Sequence, residues 1–441
     1  MTQPSGSVEL ARGSTSAAHP LILAAMHPLF TGLLGLAVFL ALAWALSLDR
    51  KRFPWRTVAC GLALQFTFGF LILKTGPGRT VFAFFNDAVT TFIGFADRGT
   101  AMVFGPLASA PALEQSFGAG NGFIFAVVVL GTIILVSAVS SFLYHYGILQ
   151  LVVRGAAWVM RRVMRTSGSE SLSAAANIFM GQTEAPLVIK PYLPRMTRSE
   201  LLAMMTGGMA TIAGGVLAVY ARLGVTAGDL LTASVMNAPA GLLIAKILLP
   251  ETERSETAGA AKADVPRTTV NGIDALCVGA ADGLKLALNV CAMLIAFVAV
   301  VHLANFLLAA PQQWAGATAP VTLQTLLGWI NTPFAWLMGV PARDSALVGQ
   351  VLGERIVLNE FVGYLSLTSE AVRPRIEERS FRIAVYAICG FANFASVAIQ
   401  IGGISALVPE RRADLASLGL RAMLGGLLAC YLTATLAGML L

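Results

Sequence analysis

The chain alternates long apolar runs with short polar connectors, and the length of each run limits what it can become. Apolar stretches fall near residues 29–48, 55–74, 122–143, 201–222, 229–249, 283–309, 384–407 and 417–440. Each approaches or exceeds the ~20 residues an α-helix needs to cross the hydrocarbon core of a bilayer, so about eight spanning helices are expected. Two further segments have arms too short to cross. In 169–197 the arms flank Gly181-Gln182-Thr183-Glu184, and Pro186, Pro191 and Pro194 interrupt the second arm. In 345–372 they meet at Asn359-Glu360-Phe361. Backbone inside lipid must satisfy its own polar groups or line a cavity, so both segments are read as re-entrant helical hairpins. Residues 79–99 carry Phe82, Phe85, Phe92 and Phe95 at near-helical spacing beside Asp87 and Asp97. That pattern predicts an interfacial helix, with a solvent-side loop as the alternative.

Composition agrees with this reading. Of 441 residues, 56% are hydrophobic and only 12% charged, with a mean hydropathy of +0.75. Soluble domains carry about 25% charged residues, so a soluble enzyme is excluded and an all-α integral membrane protein expected. The net charge of +7 then reports topology rather than nucleic-acid binding, because Lys and Arg mark cytoplasmic loops. Arg50, Lys51, Arg52 and Arg56 follow the first span. Arg154, Arg161, Arg162 and Arg165 follow the third, Arg254, Lys262 and Arg267 the fifth, and Arg411 and Arg412 the seventh. All four clusters fall inside if the hairpins do not cross, which puts both termini outside; the absence of targeting signals suggests a bacterial inner membrane. Residues 1–28 read as a disordered tail. Cys60, Cys277, Cys291, Cys389 and Cys430 lack metal-ligand spacing.

The expected organisation is the tail 1–28, scaffold and interfacial helices over 29–168, and a first hairpin repeat with following helices over 169–250. A loop, scaffold helix and connector follow over 251–344, then a second hairpin repeat over 345–441. The repeat is visible in the residues. Pro194-Arg195-Met196-Thr197-Arg198-Ser199 after the first hairpin matches Pro374-Arg375-Ile376-Glu377-Glu378-Arg379-Ser380 after the second. Further on, Gly208-Met209-Ala210-Thr211-Ile212-Ala213-Gly214 aligns with Gly390-Phe391-Ala392-Asn393-Phe394-Ala395-Ser396. Three spans separate the hairpins, and an odd number makes the repeat inverted, the pattern of secondary transporters with a midplane site between the repeats.

Glu184 and Glu360 sit at the hairpin tips. A carboxylate at that depth costs at least ~2.5 kcal/mol, so each should face a wet cavity and have a partner; capping a half-helix is the bland alternative. Gln182, Thr183 and Asn359 add amide and hydroxyl groups, and Asn393 and Ser396 lie three apart on one expected helix face. Gly390, Gly402 and Gly403 make a break in that helix plausible, and Phe391 and Phe394 are candidates to cover a flat ligand. Carboxylates, amides and hydroxyls without a cationic cluster suit a neutral ligand rich in hydroxyl and amide groups. Asn177, one turn before the first tip, and Thr211, in a glycine-rich stretch, could replace water around Na⁺ together with carbonyls freed by unwinding.

With these features the chain resembles the concentrative nucleoside transporters. The resemblance is carried by Gly181-Gln182-Thr183-Glu184-Ala185-Pro186, by Asn359-Glu360-Phe361-Val362-Gly363-Tyr364, and by Gly390 to Phe394 continuing through Ile399-Gln400-Ile401-Gly402-Gly403-Ile404. The run Leu230 to Met236 through Ala238-Pro239 resembles that family too. The resemblance covers roughly 30–440. It implies a homotrimer in the membrane lipid, each protomer carrying a scaffold and a mobile region with two hairpins and two broken helices. It implies that Gly181, Gln182, Thr183, Glu184 and Val216 form the nucleobase side of the site, that Glu360, Asn393 and Ser396 hold the ribose, and that Phe391 lines it. Asn177 and Thr211, with the carbonyls of Met180, Thr211 and Ile212, resemble the family's sodium site. Two departures stand out. The family often has Gly-x-Lys ahead of Asn-Glu-Phe-Val-Ala, whereas this chain has Gly353-Glu354-Arg355 and Gly363; Arg keeps the charge but not the shape.

The expected activity is nucleoside import by cation symport through alternating access, Na⁺ being the coupling ion and no other cofactor being needed. Proton coupling through Glu184 or Glu360 is the alternative. A passive channel and an intramembrane enzyme are more remote: His145 and His302 belong to no catalytic pattern. Purine or pyrimidine preference and ion stoichiometry leave no signal in the residues.

Overall fold

A computed structural model describes residues 28–118, 122, 124–258, 269–317 and 320–441. The expected tail therefore lies almost wholly outside the described residues. The described residues are helical, without strands.

The N-terminal part runs through α1 (Pro28–Ala45), α2 (Trp55–Lys74), α3 (Gly76–Phe104), α4 (Ala110–Phe117), α5 (Phe125–His145) and α6 (Ile148–Met164). The helix expected over 79–99 thus spans Gly76–Phe104, separated from α2 only by Thr75, whose hydroxyl caps it by accepting from the Gly78 amide at 3.1 Å. It is tied inward by Asp97, which pairs with Arg222. The first hairpin follows as α7 (Gly168–Ala176), a turn through 177–184, α8 (Ala185–Val188) and a 3₁₀ turn over Lys190–Arg195. Pro186, Pro191 and Pro194 explain why this arm never becomes a full helix, since proline lacks the N–H donor.

The expected span at 201–222 is two half-helices, α9 (Arg198–Ala210) and α10 (Gly214–Arg222), broken at Thr211-Ile212-Ala213. Thr197 and Glu200 form a reciprocal capping box that starts α9. Then come α11 (Ala227–Leu248), α12 (Gly272–Trp314) and α13 (Leu323–Leu337). At 43 residues α12 far exceeds the expected 283–309; at ~1.5 Å per residue it is about twice the thickness of the hydrocarbon core.

The second repeat copies the first. Its hairpin is α14 (Ala342–Val357) and α15 (Glu360–Thr368), its broken helix α16 (Glu378–Ile388) and α17 (Phe394–Ser405), and its closing helix α18 (Arg412–Leu440). The break falls at Cys389–Asn393, around Gly390. Gly402 and Gly403, expected to help break this helix, instead lie inside α17. Among the described residues six stretches are long and apolar enough to cross a membrane, counting α9 with α10 as one, and Leu29–Ala45 and Phe394–Ser405 are shorter apolar helices.

The core sits where the repeats interlock. Helices α9, α11 and α18 are buried along most of their length. Gly241 of α11 meets Gly207 of α9 so closely that an added Cβ would lie 3.2 Å from the Gly207 Cα, the small-residue contact expected between membrane helices. At the base of the first hairpin Lys246 is paired with Glu170 at 3.0 Å and Glu251 at 3.3 Å, and both Lys246 and Glu170 are buried.

Candidate functional site

Both hairpin tips and both helix breaks line one cavity of about 550 Å³. From the first hairpin come Gly181, Gln182, Thr183 and Glu184, and from the first break Ala213 and Val216. The second hairpin contributes Asn359, Glu360 and Phe361, and the second break Phe391, Asn393 and Ser396. Apart from Phe394, the residues expected at the substrate site are therefore present around one space, although the outermost are separated by more than 200 positions in sequence.

Local chemistry positions each group. Gly181 donates its N–H to Glu184 Oε2 at 3.1 Å, closing the tip turn while the rest of the Glu184 side chain is exposed to the cavity. Gln182 lines the cavity, is 7% exposed, and its buried Oε1 has no hydrogen-bond partner among the described residues. Gly403 is where Thr183 docks: a Cβ there would lie 2.7 Å from Thr183 Cγ2. Thus the glycine pair of α17 makes room for the first tip.

On the other side, Glu360 is 7% exposed and both its oxygens are held. Tyr220 Oη donates to Oε1 at 2.9 Å and Asn393 Nδ2 donates to Oε2 at 3.0 Å. Each carboxylate oxygen has a second lone pair to offer. Asn393 is not in a helix interior, as the expectation of a face shared with Ser396 required. It is the N-cap of α17, and its Oδ1 accepts from the Ser396 N–H at 2.9 Å. Asn393 thus starts the half-helix and aims Glu360 with opposite ends of one amide. Asn359 does the capping job for α15, accepting from Val362 N–H at 3.0 Å. Phe391 lines the cavity, but Phe394 is 52% exposed and outside the lining.

The residues expected to hold an ion lie behind the first tip. Asn177 and Thr211 are each 1% exposed, and among the described residues neither Oδ1 nor Nδ2 of Asn177 has a hydrogen-bond partner. Thr211 Oγ1 donates to Gly207 O at 3.0 Å, which leaves its lone pairs available. The Gly214 N–H donates to Phe179 O at 3.0 Å. This bond clamps the turn carrying Asn177 and Met180 onto the break carrying Thr211 and Ile212. Buried polar atoms are rarely left without partners, so an oxygen such as Asn177 Oδ1 fits a hard cation.

Two polar lining residues, Tyr220 and Asn289, had no place in the expected site. Tyr220 lies four residues after Val216 on α10, so helical spacing alone puts them on one face. Asn289 is a polar residue within the apolar run of α12, itself a signal in a membrane segment. The two departures from the family pattern prove to be neighbours: a Cβ on Gly363 would sit 3.3 Å from Arg355 Cβ. Gly363 gives the buried arginine room.

Comparison with known proteins covers nearly the whole chain. The profile described as Na⁺ dependent nucleoside transporter C-terminus matches residues 229–438, its N-terminus counterpart matches 34–107, and a nucleoside recognition profile matches 126–227. The chain is 42% identical over 409 residues to the uncharacterized transporter YutK of Bacillus subtilis, covering 92% of this chain and 98% of that one. It is 38% identical over 431 residues to sodium/nucleoside cotransporter 1 of Rattus norvegicus, covering 92% of this chain but 63% of the rat protein. The structure of CNTnw in an inward-facing substrate-bound state is 40% identical with a TM-score of 0.87, covering 94% of this chain and 98% of that one. A doubly substituted CNTnw in an outward-facing state is 39% identical with a TM-score of 0.87, covering 93% and 97%.

Proposed function

The chain belongs to the concentrative nucleoside transporter family, and from that premise we propose that it imports nucleosides by symport with Na⁺. It is a transporter rather than an enzyme, and structures of this fold in inward-facing and outward-facing states show that access alternates. The observation that carries the proposal is the single cavity with Gln182, its amide oxygen unpartnered among the described residues, on one wall and a doubly held carboxylate at Glu360 on the other. Gln182, Thr183 and Glu184, packed beside Val216, meet the nucleobase. Glu360, aimed by Asn393 and Tyr220, accepts from the ribose hydroxyls with Ser396 beside it, and Phe391 covers the ligand.

Na⁺ binds first, at Asn177 and Thr211 with carbonyls of Met180, Thr211 and Ile212. It draws the tip turn onto the break and so completes the nucleobase wall. One inward charge supplies about 2.3 kcal/mol per 100 mV, roughly 40-fold accumulation of a neutral solute at ~1.4 kcal/mol per tenfold. The protein works as a homotrimer in a bacterial inner membrane, with both termini outside, as the basic loops support. Proton coupling is the competing reading, and the cavity-facing carboxylate of Glu184 is the group that would carry it.

Uptake of labelled uridine and adenosine into proteoliposomes, with Na⁺ or choline outside and across pH 5.5–8, tests the proposal. Na⁺-dependent accumulation above equilibrium is expected. Accumulation in choline driven by an acid-outside gradient would replace Na⁺ with H⁺, and equilibration without accumulation would make the protein a passive channel.

A further inference from the structure

Where the two broken helices cross, their C-terminal carbonyl ends meet. Helix α9 ends at Ala210 and α16 at Ile388, and Gly390 packs so near Ala210 that a Cβ would lie 2.7 Å from the Ala210 oxygen. Each helix C-terminus carries the equivalent of roughly half a negative charge, so two such ends side by side repel. Inside a membrane no water is available to satisfy the orphan carbonyls.

Side chains from three other helices do so. Asn237 of α11, 0% exposed, donates both hydrogens of one amide, to Ala210 O at 2.7 Å and to Cys389 O at 2.8 Å. The opposite amide orientation would turn an oxygen onto two carbonyl oxygens, so the donor arrangement is forced. Arg355 of α14, also 0% exposed, donates from Nη1 to Ala387 O at 3.2 Å and from Nη2 to Gly390 O at 3.1 Å. Cys430 of α18 lies against both breaks, 3.4 Å from Ala210 O and 3.5 Å from Cys389 O. One backbone bond joins the breaks directly, from Phe391 N–H to Thr211 O at 3.3 Å.

The location of this clamp matters more than its strength. Ala210 immediately precedes Thr211 of the proposed ion site, and Gly390 immediately precedes Phe391 of the nucleoside cavity. We propose that Asn237, which bridges the two helix breaks, and Arg355, which fixes the second break through Ala387 and Gly390, are positioning residues that hold the breaks in register, so that cation occupancy at the first break sets nucleoside affinity at the second. Neither side chain lines the cavity. This assignment rests on the nucleoside and cation roles proposed above and adds how one site senses the other. An amide and a guanidinium suit the task because each offers two N–H groups at a fixed angle, which an ammonium or a hydroxyl does not.

The test measures coupling rather than transport. For the purified full-length protein, uridine affinity is measured by titration calorimetry in saturating NaCl and in choline chloride, and the ratio of the two is the coupling factor. By linkage, uridine must shift the Na⁺ affinity by the same factor. Asn237→Ser, too short to reach both carbonyls, is expected to lower that factor at least fivefold while uridine affinity in choline stays within twofold of wild type. Arg355→Lys keeps the charge but loses the planar fork, and a two- to fivefold drop is expected. A variant with wild-type melting temperature and an unchanged coupling factor overturns the assignment. So does an equal loss of affinity in both buffers, which is the signature of a merely structural residue. If Asn237→Ser does not fold, Asn237→Thr, equally too short to reach both carbonyls, decides in its place. A wild-type protein that binds no nucleoside in either buffer refutes the proposed function itself, before any substitution, and this assignment falls with it.

Discussion

Replacing Glu360 by Gln removes one charge and one acceptor without changing size, and the surrounding bonds dictate how the site responds. In the native site Oε1 accepts from Tyr220 and Oε2 from Asn393, so each oxygen of this cavity-lining residue keeps one lone pair to offer a ligand. A glutamine cannot point its NH₂ at Asn393, because two donors would face each other. It must turn that group to Tyr220, whose hydroxyl can accept instead. One cavity-facing acceptor is lost and the other no longer carries charge. Hydrogen bonds to charged groups contribute ~1.5–3 kcal/mol and neutral ones ~0.5–1.5 kcal/mol, so the change should cost about 3 kcal/mol, or roughly 100-fold in nucleoside affinity. The assay is calorimetric titration of uridine and of 2′,3′-dideoxyuridine in saturating NaCl. Wild type is expected to discriminate strongly between them and Glu360→Gln to bind them nearly alike. Wild-type uridine affinity in the variant would refute the reasoning, and so would equal losses for both ligands, since the proposed partner of Glu360 is the hydroxyl pair alone.

Three further outcomes are expected. Asn177→Ala and Thr211→Val should each raise the Na⁺ concentration for half-maximal uptake at least several-fold, read from initial rates in proteoliposomes, while stability in detergent stays close to wild type. Gly390→Ala places a methyl 2.7 Å from Ala210 O and should destabilise by about 1–3 kcal/mol through overpacking, seen as a lower midpoint in scanning fluorimetry; an unshifted midpoint would mean the helix breaks do not pack this tightly. Lys246→Met strands the buried Glu170 carboxylate and should cost about 3–5 kcal/mol, whereas adding Glu170→Gln should restore most of the melting midpoint, an outcome a simple packing defect would not give.

Much of the site was legible because its signals are local. A carboxylate flanked by two short apolar arms marks a hairpin tip whatever surrounds it, and Gln182, Glu184 and Glu360 follow from that alone. Asn393 was found for its place in the repeat, yet its work as an N-cap depends on where α17 begins, and the glycines pointed to two places at once. The backbone opens at Gly390, where a side chain would strike Ala210, and stays helical at Gly402 and Gly403, where Thr183 needs the space. Composition cannot distinguish a glycine that permits a break from one that permits a close approach.

From the residues alone came the apolar lengths that make spanning helices, the polar tips that make hairpins, the odd number of crossings that inverts the repeat, and the family. These are properties of runs of neighbours, and hydrophobic period and chain geometry decide them. Only the folded chain showed that Asn237 and Arg355 hold carbonyls of the two breaks, that Tyr220 completes Glu360, and that Lys246 neutralises Glu170. Those partners lie far apart in sequence, and in several cases one partner is a backbone oxygen that every residue possesses. A bond to a carbonyl leaves no mark on the identity of the residue that supplies it, so packing alone could reveal it.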